Sequence, residues 1–133
     1  MKTSSFRLYT GPGRISIARW APRGCPAGYR VFTPLAPAKW FNSVADDEYI
    51  ALYMKQLAAL DPQKTWDQLH ELAGGHEPVL LCWEVAPFHA HQPILIADAA
   101  RTPEGKKPNW CHRRLVAHFF KEKLCVDVPE LEI

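Results

Sequence analysis

The sequence predicts a single small α/β domain, with a mostly parallel sheet flanked by helices in a Rossmann-like three-layer arrangement. The length of 133 residues corresponds to one domain, residues 1–133. Residues 78–83 form a short, almost continuous apolar run, which is typical of a strand covered on both faces. A predicted helix and a further apolar segment follow that run, and strand, helix, strand in this order indicate a right-handed parallel crossover.

Composition limits the classes of function. Apolar residues make up 47% of the chain and charged residues 23%, close to the average for a globular protein. The formal charge of +2 does not support nucleic-acid binding on its own, so any basic surface must be local. No apolar run approaches the roughly 20 residues of a membrane span, and residues 1–10 lack a secretory signal. We therefore predict a cytoplasmic protein without a membrane partner, and leave its cofactor and oligomeric state open.

The first third of the chain is predicted to hold two strands and a long loop. Alternating apolar residues over 6–10 and 15–19, on either side of the Gly-Pro-Gly at 11–13, predict two strands around a turn. Prolines and glycines over residues 22–37 predict an extended loop. Aromatic residues beside these prolines are expected to pin the loop to the core rather than to stack on a base: Trp20, Tyr29, Trp40 and Phe41.

Two helices are predicted next. Asp46 is a suitable N-cap for a helix whose apolar residues recur every three or four positions as far as Leu60, and Asp-Pro at 61–62 would end it. Thr65 is predicted to cap a second helix, which the glycine pair at 74–75 would stop.

The last third combines a long excursion with a third helix. Proline, histidine and charge dominate residues 87–108, which fits a loop better than a core element. Asn109 is predicted to cap a helix over about residues 110–123, and residues 126–128 are predicted to close the sheet as a strand. One face of that helix is apolar: Cys111, Leu115, Val116, Phe119 and Phe120.

Several short motifs together resemble the domain of unknown function family 488. They are Leu8-Tyr9-Thr10, Ser16-Ile17-Ala18-Arg19, Leu35-Ala36-Pro37, Leu80-Leu81-Cys82-Trp83-Glu84 and Cys111-His112-Arg113. The resemblance covers nearly the whole chain and implies a fold and the location of a site, without implying an activity. In that family a short segment joins the last two motifs, whereas here 26 residues separate Glu84 from Cys111. The resemblance thus implies an inserted loop of roughly twenty residues, at about 86–108.

The candidate site lies where the two later motifs are expected to converge. Glu84 would sit at the carboxyl edge of its strand, where open α/β sheets place ligands. Cys111 and His112 would begin the third helix, whose N-terminal dipole and basic neighbours favour a thiolate. We predict Glu84, Cys111 and His112 as catalytic residues, and ligand-binding roles for three others: Arg19, Cys82 and Arg113.

Structural alternatives stand beside each assignment. All four cysteines are predicted as free thiols, and Cys82 and Cys111 can equally be small buried core residues. Glu84 can be a solvated strand end or an ion pair with Arg113. A metal site built from Cys82, Cys111 and His112, with added imidazoles from residues 89–91, is a further alternative.

Three functions are consistent with these residues. The first is a small enzyme acting on a nucleotide-like or anionic substrate through the Cys, Glu, His and Arg groups. The second is a thiol- or metal-binding protein, with Cys82, Cys111 and His112 as ligands or with Cys82 and Cys111 as a redox pair. The third is a non-catalytic interaction module, such as an accessory protein of a mobile element, whose inserted loop makes the contact.

Overall fold

The computed structural model describes residues 1–83 and 111–131, apart from the side chains at 41, 42 and 46. Three predictions lie outside these residues: the inserted loop, the roles of Glu84 and the imidazoles at 89–91. The prediction of Asn109 as the cap of the third helix is wrong, because Cys111 holds the N-cap position of a helix that begins at His112. Within the described residues, no helix is long and apolar enough to cross a membrane.

Four parallel strands form one sheet, which confirms the predicted α/β class. They are β1 (Lys2–Ser5), β2 (Arg14–Ser16), β3 (Arg30–Val31) and β4 (Val79–Cys82), in the order β1-β4-β2-β3. All four residues of β4 are buried, as the apolar run predicts for a central strand. β3 was not expected, because it occupies two residues of the proline-rich stretch predicted as a loop.

The first strand lies earlier than predicted. β1 has the sequence Lys-Thr-Ser-Ser, which carries no apolar pattern, and pairs with β4 along its whole length. The strand predicted over residues 6–10 is wrong, because the chain turns at 6–8 after the Phe6 N–H donates to the Cys82 carbonyl at 3.2 Å. The predicted turn at 11–13 is present, and Gly13 adopts a φ of 80° there, a conformation that favours glycine.

The three described helices are α1 (Asp46–Ala58), α2 (Pro62–Leu72) and α3 (His112–Leu124). Asp46 is the first residue of α1 rather than its cap, since Ala45 holds the N-cap position. The apolar faces predicted for α1 and α3 are confirmed by their buried residues: Ile50, Tyr53, Leu57, Cys111, Leu115, Val116, Phe119 and Phe120.

The N-cap of α2 lies four residues earlier in the chain than the predicted cap, Thr65. The Lys64 N–H donates to Asp61 Oδ1 at 3.0 Å, so Asp61 is the N-cap and Pro62 the first helical residue. The prediction of Thr65 as the cap is wrong, because the Asp-Pro pair starts α2 instead of ending α1. Thr65 is buried inside the helix.

The two faces of the sheet are covered differently. Leu80 lies opposite Ile15 in register, and their face packs against α1, α2 and α3 in the larger core cluster. Leu81 and Val79 point to the other face, where Phe6, Ala18 and the partly buried Tyr29 form a smaller cluster. In the described chain, helices therefore form one layer and loop segments the opposite one.

The segment after α3 returns to the edge of the sheet beside β1. Glu130 makes a single parallel bridge with Thr3, and the Leu131 N–H donates to the Thr3 carbonyl at 2.7 Å. The strand predicted over residues 126–128 is wrong, because the contact with β1 forms only after Val128 has packed into the core.

Candidate functional site

The end of β4 and the start of α3 bring three metal-ligating side chains together. Cys82 is the last residue of β4, Cys111 is the N-cap of α3 and His112 is its first residue. Their sulfur and ring-nitrogen atoms all lie within 4.8 Å of one another, and all three residues are buried. The parallel topology thus produces the convergence of the two later motifs.

The sulfur atoms of Cys82 and Cys111 are joined as a disulfide in the structure. The prediction of free thiols is therefore wrong for this pair and holds for Cys25 and Cys125. The Cα atoms of the joined residues are 7.7 Å apart, wider than the roughly 4.4–6.8 Å that disulfides usually span. The Cα atoms at the end of β4 and the start of α3 are therefore farther apart than is usual for two directly bonded cysteines.

His112 has a defined orientation because of its backbone partner. Its Nε2 lies 2.8 Å from the Ile17 carbonyl oxygen, and a carbonyl only accepts, so Nε2 carries the hydrogen. In the neutral ring Nδ1 then holds the lone pair, and this atom lies 3.7 Å from Cys111 Sγ. The ring edge of Tyr53, 5.5 Å away between centroids, packs against the imidazole. The lone pair of His112 is therefore directed at the cysteine cluster.

Arg113 links Cys82 to a buried carboxylate. Its side chain is fully buried, and Nη1 donates to Cys82 Sγ at 2.8 Å. Nε donates to Glu130 Oε2 at 3.1 Å and Nη2 donates to Oε1 at 2.6 Å, so the guanidinium binds both carboxylate oxygens. Reduction of the disulfide would release the Cys82 sulfur beside this guanidinium, a setting that favours the thiolate over the thiol.

A second arginine enters the same buried network from the next position of α3. Arg114 Nη1 donates to Thr3 Oγ1 at 2.9 Å and to the Val128 carbonyl at 2.8 Å, while Thr3 donates to Glu130 Oε2 at 2.6 Å. Burial lowers the pKa of Arg114, the negative charge of Glu130 opposes that shift, and the positive charge of Arg113 adds to it. Two buried guanidinium groups therefore share one buried carboxylate, which leaves a positive charge beside Cys82.

Three members of this network were missed from the sequence: Thr3, Arg114 and Glu130. The available signal was the alternation of Val126, Val128 and Glu130, which continues a strand-like pattern beyond the predicted strand. No sequence pattern pointed to Thr3, because its role depends on the edge of β1 meeting the segment after α3.

Two predicted site residues lie elsewhere or outside the described chain. β2 ends at Ser16, and Arg19, three residues further on, donates from Nη1 to the Pro37 carbonyl at 3.4 Å and lies 5.4 Å from the Trp20 ring. Glu84 falls outside the described residues, so its catalytic role and its ion pair with Arg113 stay predictions. The carboxylate that the structure shows on Arg113 is Glu130.

The fold and the site define a small α/β protein with a buried cysteine–histidine cluster backed by an arginine–carboxylate network. Comparison with protein-family profiles, with curated proteins and with solved structures finds no match to this chain. The resemblance to family 488 stays a prediction, and the functional argument rests on the geometry of the site.

Proposed function

We propose that this protein binds a transition metal ion through Cys82, Cys111 and His112. The chemistry of these three ligands favours zinc. The observation that carries the proposal is the approach of their three ligand atoms to within 4.8 Å of one another in a buried position. Thiolate sulfur and imidazole nitrogen are ligands that zinc takes at about 2.0–2.3 Å. A cellular thiol must first reduce the Cys82–Cys111 disulfide: it supplies two electrons and is itself oxidised to a disulfide, and the two thiolates released can then bind one ion together with His112.

The groups behind the ligands also suit a metal centre. Metal-binding histidines usually donate their second ring N–H to a carbonyl or carboxylate, as His112 Nε2 does to Ile17. The N–H of Arg113 on Cys82 Sγ is a matching outer contact for a coordinated thiolate. Both contacts would orient the ligands before the metal arrives.

The spacing of the cysteines favours a shared ion over a direct bond. With Cα atoms 7.7 Å apart, the pair lies beyond the usual disulfide span of roughly 4.4–6.8 Å. An ion placed between the two sulfurs would suit the larger separation of the two Cα atoms. A cytoplasmic location belongs to the same proposal, because a reducing compartment keeps both thiols available to the metal.

Metal analysis of untagged protein, purified without chelators, tests the proposal. We expect near-stoichiometric zinc by elemental mass spectrometry, and thiolate-to-metal charge-transfer absorption when cobalt(II) replaces it. Cys82→Ser, Cys111→Ser and His112→Asn should each weaken binding, whereas the matched controls Cys25→Ser and Cys125→Ser should not. Metal-free protein in which mass analysis shows an oxidised Cys82–Cys111 pair under reducing conditions would contradict the proposal.

A second candidate is a cysteine-dependent enzyme acting on a small anionic or nucleotide-like substrate. The specific observation in its favour is the 3.7 Å contact between Cys111 Sγ and His112 Nδ1 at the N-terminus of α3. In this scheme His112 accepts the thiol proton, Cys111 is the nucleophile and the charge of Arg113 attracts the anion. Rapid alkylation of Cys111 in metal-free protein, slowed by His112→Asn, would favour this candidate, and an inert Cys111 would exclude it.

A further inference from the structure

The small net charge hides an uneven distribution of charge along the chain. Residues 1–45 contain seven of the 16 Lys and Arg residues and none of the 14 Asp and Glu residues. Every acidic side chain lies in the remainder of the sequence. The part of the chain that forms β1, β2, β3 and their connecting loops is therefore strongly basic.

These cations divide into structural and exposed groups. Arg14 is buried and donates to the carbonyls of Gly11, Pro26 and Ala27 at 2.9, 2.9 and 2.6 Å, so its role is to hold the loop. Arg7 and Arg23 are exposed, and neither takes part in the ion pairs found within residues 1–83 and 111–131. They are available to a negatively charged partner.

Two arginines follow strand ends at the carboxyl edge of the sheet. Arg7 lies two residues after the end of β1, next to Phe6, whose N–H bonds to the carbonyl at the end of β4. Arg19 lies three residues after the end of β2, and Arg23 lies further along the connection from β2 to β3, between Ala21 and Cys25, which pack onto the loop-covered face of the sheet. β1 and β2 lie on either side of β4, so their carboxyl ends are about 10 Å apart. The positive charge that follows these two strands thus spreads over more than the width of a single phosphate.

Two large aromatic side chains are exposed at the same edge. Trp20 is 63% exposed and Trp83 is 53% exposed, although the prediction for Trp20 was a packing role against the core. The Trp83 Nε1–H donates to the Trp20 carbonyl at 2.6 Å, and the Arg19 guanidinium lies 5.4 Å from the Trp20 ring. The hydrogen bond therefore holds the Trp83 indole beside the backbone of Trp20.

We propose that this edge, formed by Arg7, Arg19, Trp20, Arg23 and Trp83, binds single-stranded nucleic acid. Arginines attract the phosphates, and exposed indoles offer stacking faces to unpaired bases. A duplex hides the faces of its bases, and an acidic peptide has no rings to stack on the indoles. The width of the basic edge fits several successive phosphates better than one mononucleotide.

Fluorescence anisotropy with a labelled 12-residue oligo-dT tests the proposal. The full-length protein should bind at low salt, with an affinity that falls with log salt at a slope of about −2 if three arginines contact phosphates. Trp20→Ala with Trp83→Ala should weaken binding by about tenfold or more, because each stacked base is lost. Arg7→Glu with Arg23→Glu should weaken it at least as much.

The matched control is Lys64→Glu with Lys123→Glu, which makes the same change of charge at exposed positions on α2 and α3. This control should leave the affinity within about twofold, since its lysines lie outside the proposed surface. Equal weakening by the control would show a non-specific charge effect and overturn the proposal. Absence of binding at low salt would overturn it as well.

Competition experiments distinguish a nucleic-acid strand from a mononucleotide and from an acidic peptide. Unlabelled dTMP or a poly-Glu peptide that displaces the oligonucleotide as well as unlabelled oligo-dT would overturn the assignment to a nucleic-acid strand. Circular dichroism checks the fold of each variant. If the tryptophan variant fails to fold, the exposed arginine pair and its lysine control decide the outcome alone.

Discussion

The buried cysteine cluster and the exposed basic edge use the same types of side chain in opposite ways. Cys82 and Trp83 are adjacent in sequence, yet Cys82 is fully buried and Trp83 is 53% exposed. Arg113 is fully buried and held by Glu130, whereas Arg7 and Arg23 point to solvent in a stretch without acidic residues. The difference teaches that a buried guanidinium is held by acceptors that the fold supplies, a carboxylate for Arg113 and backbone carbonyls for Arg14, whereas the exposed guanidinium groups of Arg7 and Arg23 stay in solvent.

The largest expected effect comes from breaking the buried charge pair. Arg113→Met should lower the free energy of unfolding by about 3–5 kcal/mol, because Glu130 would stay buried without the guanidinium that donates to it directly. Urea unfolding at pH 7 measures the change. Arg23→Met, at an exposed position, should stay within about 0.5 kcal/mol of the wild type. A loss below about 1 kcal/mol for Arg113→Met would remove the contrast between the two regions.

Removal of the proposed metal should have the next largest effect. If zinc occupies the Cys82, Cys111 and His112 site at 100 to 1,000 times its dissociation constant, binding adds about 2.7–4.1 kcal/mol to stability. Dialysis against a chelator should therefore lower Tm, and added zinc should restore it. Cys111→Ser should abolish this response and Trp83→Ala should retain it. An identical chelator response in both variants would place the metal elsewhere.

A smaller and pH-dependent effect is expected at Tyr53, whose ring packs against His112. Burial, followed by the effect of Tyr49, raises the pKa of Tyr53 well above its usual range, and the hydroxyl donates to the Leu35 carbonyl at 2.5 Å. The unfolded tyrosine ionises above about pH 10 while the folded one keeps its proton, so stability present below that pH declines as pH rises. Tyr53→Phe should lose about 1 kcal/mol at pH 7 and remove this part of the alkaline decline.

Urea unfolding between neutral and alkaline pH checks the Tyr53 prediction. Tyr9→Phe is the matched control, because the Tyr9 hydroxyl also donates to a backbone carbonyl, that of Pro12, but in an exposed position. The control should keep the alkaline decline of the wild type. The same profile for both variants would show that the buried hydroxyl makes no separate contribution.

The smallest effect on stability is expected at the exposed indoles. Trp20→Ala and Trp83→Ala should each change the free energy of unfolding by less than about 0.5 kcal/mol, because both rings face solvent. Leu80→Ala, on the central strand, should lose about 2–5 kcal/mol by comparison. Thermal and urea unfolding measure both changes. A loss above 1 kcal/mol at either tryptophan would mean that the ring supports the core.

Apolar pattern identified the elements that are buried on both sides. β4 and α3 were predicted nearly at their observed positions, because a continuous apolar run and a three-to-four-residue repeat leave few alternatives. β1 was misplaced, since its Lys-Thr-Ser-Ser sequence becomes a strand only through pairing with β4. The start of α2 was misplaced because Asp-Pro reads equally well as the end of one helix and the beginning of the next.

The sequence predicted the cluster of Cys82, Cys111 and His112. It did not predict the carboxylate of Glu130, which contacts the arginine behind that cluster. Topology alone predicted that the end of β4 would meet the start of α3, and the structure brings Cys82, Cys111 and His112 together there. Glu130 was missed because the alternation of Val126, Val128 and Glu130 indicates a strand without indicating which residue its carboxylate contacts. The basic edge could not be predicted from the net charge, because the value of +2 is the sum of a basic segment, residues 1–45, and an acidic remainder.

The bond between Thr3 and Glu130 joins residues separated by 127 positions, so it closes a loop that spans almost the whole described fold. Contacts of such sequence separation form late in folding, since the entropy of closing the loop must be overcome before the contact contributes. Arg113 and Glu130 are only 17 positions apart, so their contact closes a much shorter loop. The two partners of Glu130 therefore differ in the length of chain that must close before each contact forms, and the contact with Thr3 is the one that joins the end of the described chain to its first strand.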